Sequence, residues 1–132
     1  DSTLGATLLE PTMIYVKALA ETQAKVEVTA LAHITGGGLL ENLPRVLPSE
    51  AKAGINLASW KRPAIFNWLQ EHGQIEDMEM LRTFNCGIGM IAAVRSADVQ
   101  LALDTLNHDA AIARVIGEVS KREPDEETLV FV

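Results

Sequence analysis

The spacing of apolar residues changes along this chain, and each change predicts an element. Thr12 is placed to cap a helix from about Met13 to Ala24, rich in Ala and Leu. Val26, Val28 and Ala30 then alternate with Glu27 and Thr29, which predicts a strand to about Ile34. Gly36-Gly37-Gly38 ends it, and Leu39 to Leu43 begin a helix that Pro44 stops or that continues weakly to Leu47. Pro48 to Glu50 turn the chain, and Ala53 to Leu57 predict a short strand. Pro63 fits the first position of a helix in which Ile65, Trp68, Leu69 and His72 share a face, with Gly73 as its stop. Ile75 to Arg82 predict a further short helix.

Gly87 to Val94 is apolar on both faces, with Ile88, Met90, Ala92 and Val94 on one and Ile91 and Ala93 on the other, as in a strand covered on both sides. Ser96 can cap a helix whose Val99, Ala102, Leu103 and Leu106 face one way. Ala111 to Val119 and Thr128 to Val132 read as closing strands around a charged loop, Lys121 to Glu127. Strand, helix, strand over 87–119 would form a right-handed crossover if its strands are parallel. The expected class is α+β, a mixed β-sheet with packed helices, and 132 residues suit one domain.

A net charge of −7 with Lys and Arg scattered rather than clustered excludes nucleic acid and a polybasic membrane surface as partners. It leaves room for a small anionic ligand held by a few backbone N–H groups. The single cysteine, Cys86, excludes an intrachain disulfide and a Cys-rich zinc site, and a cytoplasmic location is expected. The sequence contains no apolar run long enough for a transmembrane helix and no signal peptide. It begins at Asp1 without Met, as a fragment or processed chain would.

Two segments stand out chemically. In Ala32-His33-Ile34-Thr35-Gly36-Gly37-Gly38, three glycines follow a strand and precede a helix. Such a corner lets backbone N–H groups approach an anion; the plainer reading is a tight turn. It is neither a Walker A loop nor GxGxxG. His33 beside it is either a structural histidine or a group that moves a proton or contacts a phosphate or carbonyl oxygen. In Arg82-Thr83-Phe84-Asn85-Cys86-Gly87-Ile88-Gly89-Met90, a polar loop enters a strand carrying two glycines, which weaken it unless something approaches closely. Asn85 is a candidate partner for a ligand amide. Cys86 has only Arg82 as a nearby cation in sequence, so packing or contact is favoured over a nucleophilic role. Asn42 and Arg45 follow the glycines, and Arg45 can pair with a phosphate or stand as a surface arginine. Trp60 and Trp68 read as core or interface residues. The carboxylates are not clustered, so no metal ligand is assigned.

These segments together resemble the aminoimidazole ribonucleotide synthetase family. The resemblance rests on His33-Ile34-Thr35-Gly36-Gly37-Gly38 with Glu41-Asn42-Leu43-Pro44-Arg45-Val46-Leu47-Pro48, on Leu9-Glu10-Pro11-Thr12 with Ile14-Tyr15-Val16-Lys17, and on Arg82 to Met90. It runs from about residue 8 to the end. It implies the C-terminal half of a two-domain synthetase, with residues 1–12 a lead-in from an N-terminal domain. The implied reaction is ATP-dependent closure of formylglycinamidine ribonucleotide to aminoimidazole ribonucleotide in purine biosynthesis, giving ADP and phosphate. The implied site is a cleft between the halves. This chain supplies one wall, with His33 catalytic and Thr35, Gly36, Gly37, Gly38, Asn42, Arg45, Asn85, Cys86 and Gly87 contacting substrate or phosphate. ATP and Mg would be bound mainly by the N-terminal domain, which also builds a homodimer, and this chain alone would be inactive and carry no cofactor. Met13 stands where the family usually has a basic residue. Two other readings are another synthetase of the superfamily, such as formylglycinamidine ribonucleotide synthetase, and a non-catalytic α+β module that binds a small phosphate ester.

Overall fold

A computed structural model of the chain describes residues 3–108 and 112–132. Six helices and five strands are defined among them: α1 (Leu4–Leu8), α2 (Val16–Gln23), β1 (Val28–His33), α3 (Gly38–Asn42), β2 (Ala51–Ile55), α4 (Ala64–Gly73), α5 (Asp77–Thr83), β3 (Met90–Val94), α6 (Val99–Leu106), β4 (Gly117–Lys121) and β5 (Leu129–Phe131). Short 3₁₀ turns occupy Pro44–Val46, Leu57–Ser59 and Ser96–Asp98.

The class is α+β, as the alternation of patterns predicts, but the strands divide into two sheets. β1 and β3 form an antiparallel pair in which His33 lies opposite Met90. The second sheet has the order β4-β2-β5 and is mixed: β4 runs antiparallel to β2, and β5 parallel. The expected crossover over 87–119 is therefore absent, because β3 and β4 belong to different sheets. Of the expected Ala111–Val119 strand, Ala111 lies outside the described residues, 112–116 are not strand, and pairing begins at Gly117. The backbone forces that start. A Cβ at Gly117 would sit 2.0 Å from the Gly54 carbonyl oxygen, so only glycine permits the approach of β4 to β2.

Boundaries moved for identifiable reasons. Tyr15, not Thr12, stands at the N-cap of α2. Leu57 leaves the expected strand because the Asn56 side chain accepts from the Ala58 amide and turns the chain at Ile55. In α4, Gly73 is the last helical residue, and Gln74 takes the left-handed C-terminal position at φ 50°. The face of α4 that meets the core is marked by Phe66, not by Trp68 and His72, whose rings stack on each other at 4.3 Å on the surface. Trp60, by contrast, packs against the core.

The core gathers Ala32 and Ile34 from the β1 side, Leu39 and Leu43 from the α3 stretch, Ala53 and Ile55 from β2, Met80 and Leu81 from α5, and Cys86. Ala32 and Ile34 point inward at the strand's two-residue period, which turns His33 outward. Burying side chains the size of Ile34, Leu39, Met80 and Leu81 stabilises by about 1.5–3 kcal/mol each, enough to fix the loops that connect them.

The charged loop after β4 is tied down. Lys52 pairs with Glu126, the Glu123 amide donates to the Glu126 carboxylate, and Arg122 donates to the Ser49 and Glu126 carbonyl oxygens. The Glu123 amide first, and Lys52 second, hold the Glu126 carboxyl below its ordinary pKa. A depressed carboxylate stabilises the fold above its unfolded pKa and ceases to as pH falls through its folded one. Stability measured by urea unfolding is therefore expected to decline with acidification below the ordinary carboxylate range. Glu126→Gln should flatten that decline; an unchanged slope would remove Glu126 from it.

Candidate functional site

The triple-glycine corner joins β1 to α3, and the structure shows what each glycine does. Gly37 and Gly38 have φ of 98° and 54°, where side chains are strained. A Cβ at Gly38 would lie 2.0 Å from the Leu81 carbonyl oxygen and 2.8 Å from that of Phe84. The corner is thus pressed onto the end of α5 and the start of the 84–89 segment. Gly36 differs: its φ is not positive, and a Cβ there would meet nothing within 4 Å. Neither backbone conformation nor space within this chain requires glycine at 36.

The far end of the 84–89 segment meets the same corner. The Ile34 amide donates to the Gly89 carbonyl at 2.9 Å, one residue past the His33–Met90 pair. Both segments singled out in the sequence therefore lie side by side, although about fifty positions separate them. His33, Thr35, Gly36 and Gly87 are exposed along this rim, Gly37 and Asn85 are half-buried, and Gly38 and Cys86 are buried.

Three predicted contact residues have structural partners here. The Asn42 amide donates to the carbonyl oxygens of Gly38 at 2.9 Å, Gly36 at 3.2 Å and, more weakly, Thr35 at 3.4 Å, so it fastens the corner. Arg45 pairs with Glu41 at 3.0 Å on the surface, a contact a phosphate would have to displace. Asn85 accepts from the Gly87 amide at 3.0 Å and the Ile88 amide donates to its carbonyl at 2.9 Å, a tight turn built by the asparagine itself.

Cys86 is fully buried, at φ 51°, with its thiol donating to the Met80 carbonyl at 3.4 Å. Burial pushes the thiol pKa up, and the Arg62 charge opposes this without cancelling it. A raised thiol pKa leaves little thiolate, and the side chain is sealed in the core, so Cys86 packs there and does not make the substrate or phosphate contact that the resemblance implies for it. Iodoacetamide at neutral pH is expected to modify Cys86 only after denaturation; rapid labelling of the folded chain, followed by mass spectrometry, would contradict this.

Three residues that sequence reasoning did not assign to the site brace it. Trp60 donates its indole N–H to the Cys86 carbonyl at 3.0 Å. Pro63 fills the space beside Gly87, where a Cβ would come within 2.5 Å of its ring. Tyr15 lies against Gly89 and His33. Each of the three flanks a helical element, Trp60 after Leu57–Ser59, Pro63 before α4 and Tyr15 before α2, so helical periodicity carries no signal for their contacts.

Among the described residues no group of three or more His, Cys, Asp and Glu is arranged to hold a metal ion. No helix among them is long and apolar enough to cross a membrane. A shallow depression of about 450 Å³ lies on the outer face of the mixed sheet among Lys52, Gly54, Ser120 and Val130, and its lining includes none of the rim residues. Over residues 1–129 the chain matches the family model described as AIR synthase related protein, C-terminal domain, and it belongs to that family.

Proposed function

We propose that this chain forms one wall of the site in which formylglycinamidine ribonucleotide is closed to aminoimidazole ribonucleotide at the expense of ATP. The match over residues 1–129 places the chain among C-terminal domains of the AIR synthase related family. The choice of this reaction within the family rests on the Arg82–Met90 segment, which accompanies the glycine corner in this synthetase. The observation that carries it is the contact between corner and segment, through Gly38 against Leu81 and Phe84 and through Ile34 on Gly89, with His33 exposed beside them.

In this reading ATP and Mg are held mainly by an N-terminal half. The γ-phosphoryl group passes to the formyl amide oxygen, the amidine nitrogen attacks the carbon, and the C–O bond breaks to release phosphate. An amide oxygen leaves poorly until phosphorylated, which is why ATP is consumed. His33 is the candidate to contact that oxygen or move the proton lost by the attacking nitrogen. Gly36, with no Cβ, lets the substrate's phosphate or ribose approach the backbone.

The chain alone should turn over nothing. Combined with a matching N-terminal half, it should release ADP only when formylglycinamidine ribonucleotide is present. ADP release indifferent to that substrate would point to another synthetase of the superfamily.

A further inference from the structure

From Leu8 to Lys17 every residue is exposed except Tyr15, which is half-buried. Its ring meets His33 edge-on, with centroids 6.0 Å apart and planes at 68°. Its hydroxyl occupies the space where a side chain at position 89 would lie: a Cβ on Gly89 would come within 2.0 Å of the oxygen and 3.1 Å of Cζ. Gly89 is in turn fixed to β1 through the Ile34 amide. At Gly89 φ is not in the left-handed region, so the need for glycine there is spatial, and Tyr15 is what fills the space.

We infer that Tyr15 is a positioning residue: seated in the slot left by Gly89, it fixes the orientation of the His33 ring and couples that ring to the segment entering α2. His33 is exposed on the outward face of β1, and Tyr15 is the aromatic contact that restricts its ring. An edge-to-face contact of this kind has a preferred geometry, so displacing the tyrosine frees the imidazole to rotate. Through the backbone of residues 9–15, movement of the lead-in segment becomes movement at His33. The consequence for catalysis rests on the proposed role of His33; the coupling itself does not.

The test uses Tyr15→Phe, Tyr15→Leu, Gly89→Ala and the double change Gly89→Ala with Tyr15→Phe. The readout in the isotope-labelled chain is the pair of His33 ring-proton resonances and their NOEs to the ring at position 15. Tyr15→Phe keeps the ring and should preserve both. Tyr15→Leu and Gly89→Ala should shift the His33 resonances and abolish the NOEs. The double variant should recover them in part, because the oxygen that collides with the new Cβ is gone. If Tyr15→Leu does not fold, the Gly89→Ala pair decides. His33 resonances indifferent to Gly89→Ala, or no recovery in the double variant, would overturn the coupling. In a two-domain protein, Gly89→Ala should lower kcat on the order of tenfold to a hundredfold, with recovery in the double variant. His33→Ala with full turnover would remove the proposed role of His33 and leave the coupling intact, so the two failures are distinguishable.

Discussion

Gly38→Ala should leave the chain largely unfolded at room temperature. The new Cβ would sit 2.0 Å from one backbone oxygen and 2.8 Å from another, those of Leu81 and Phe84. Neither belongs to a side chain that could swing aside. The φ of 54° adds strain of about 1–3 kcal/mol for a side-chain-bearing residue. Separating α3 from α5 would also open the contact among Leu39, Met80 and Leu81, all buried. Losses above about 4 kcal/mol are exceptional for one substitution, but they are large against the roughly 5–15 kcal/mol that hold a typical domain together. Chemical denaturation should show the midpoint collapsing. Gly36→Ala is the matched control: its Cβ meets nothing within 4 Å, and stability should change by no more than about 0.5 kcal/mol. A Gly38→Ala protein as stable as Gly36→Ala would mean that the corner does not rest on α5.

His33→Ala carries the second large effect. The side chain is exposed, and its partner among aromatic rings is Tyr15 at 6.0 Å, so truncation should leave the core untouched. If His33 contacts the reacting oxygen or moves a proton, turnover in a two-domain protein should fall roughly 10²- to 10⁴-fold. Substrate binding, measured by calorimetry, should survive, because the bare backbone at Gly36 and the 84–89 turn remain. Unchanged turnover would take His33 out of the site.

Much of this was legible from residue order, for reasons that can be named. Alternation in Val26–Ile34 gave β1 and turned His33 outward, since strand periodicity is a local property. Three consecutive glycines marked a corner, yet sequence could not distinguish their roles. Gly38 is required by a carbonyl from α5, over forty residues away, whereas Gly36 faces open space. Asn42 looked like a ligand contact because nothing in the order of residues reveals that its amide reaches back to the Gly36 and Gly38 carbonyls. The single sheet expected from the strand patterns became two because pairing partners are set by long-range contacts such as Gly117 on Gly54. Tyr15 escaped notice as a site residue for the same reason, since its slot is made by Gly89 in a distant segment.

Hydrogen–deuterium exchange on a two-domain protein, with and without formylglycinamidine ribonucleotide and a non-hydrolysable ATP analogue, addresses the shared rim most directly. Peptides covering Ile34–Gly38 and Phe84–Gly89 should gain protection together on ligand addition, with the β4–β2–β5 sheet unaffected. Protection confined to one of the two segments, or to neither, would contradict a common binding rim.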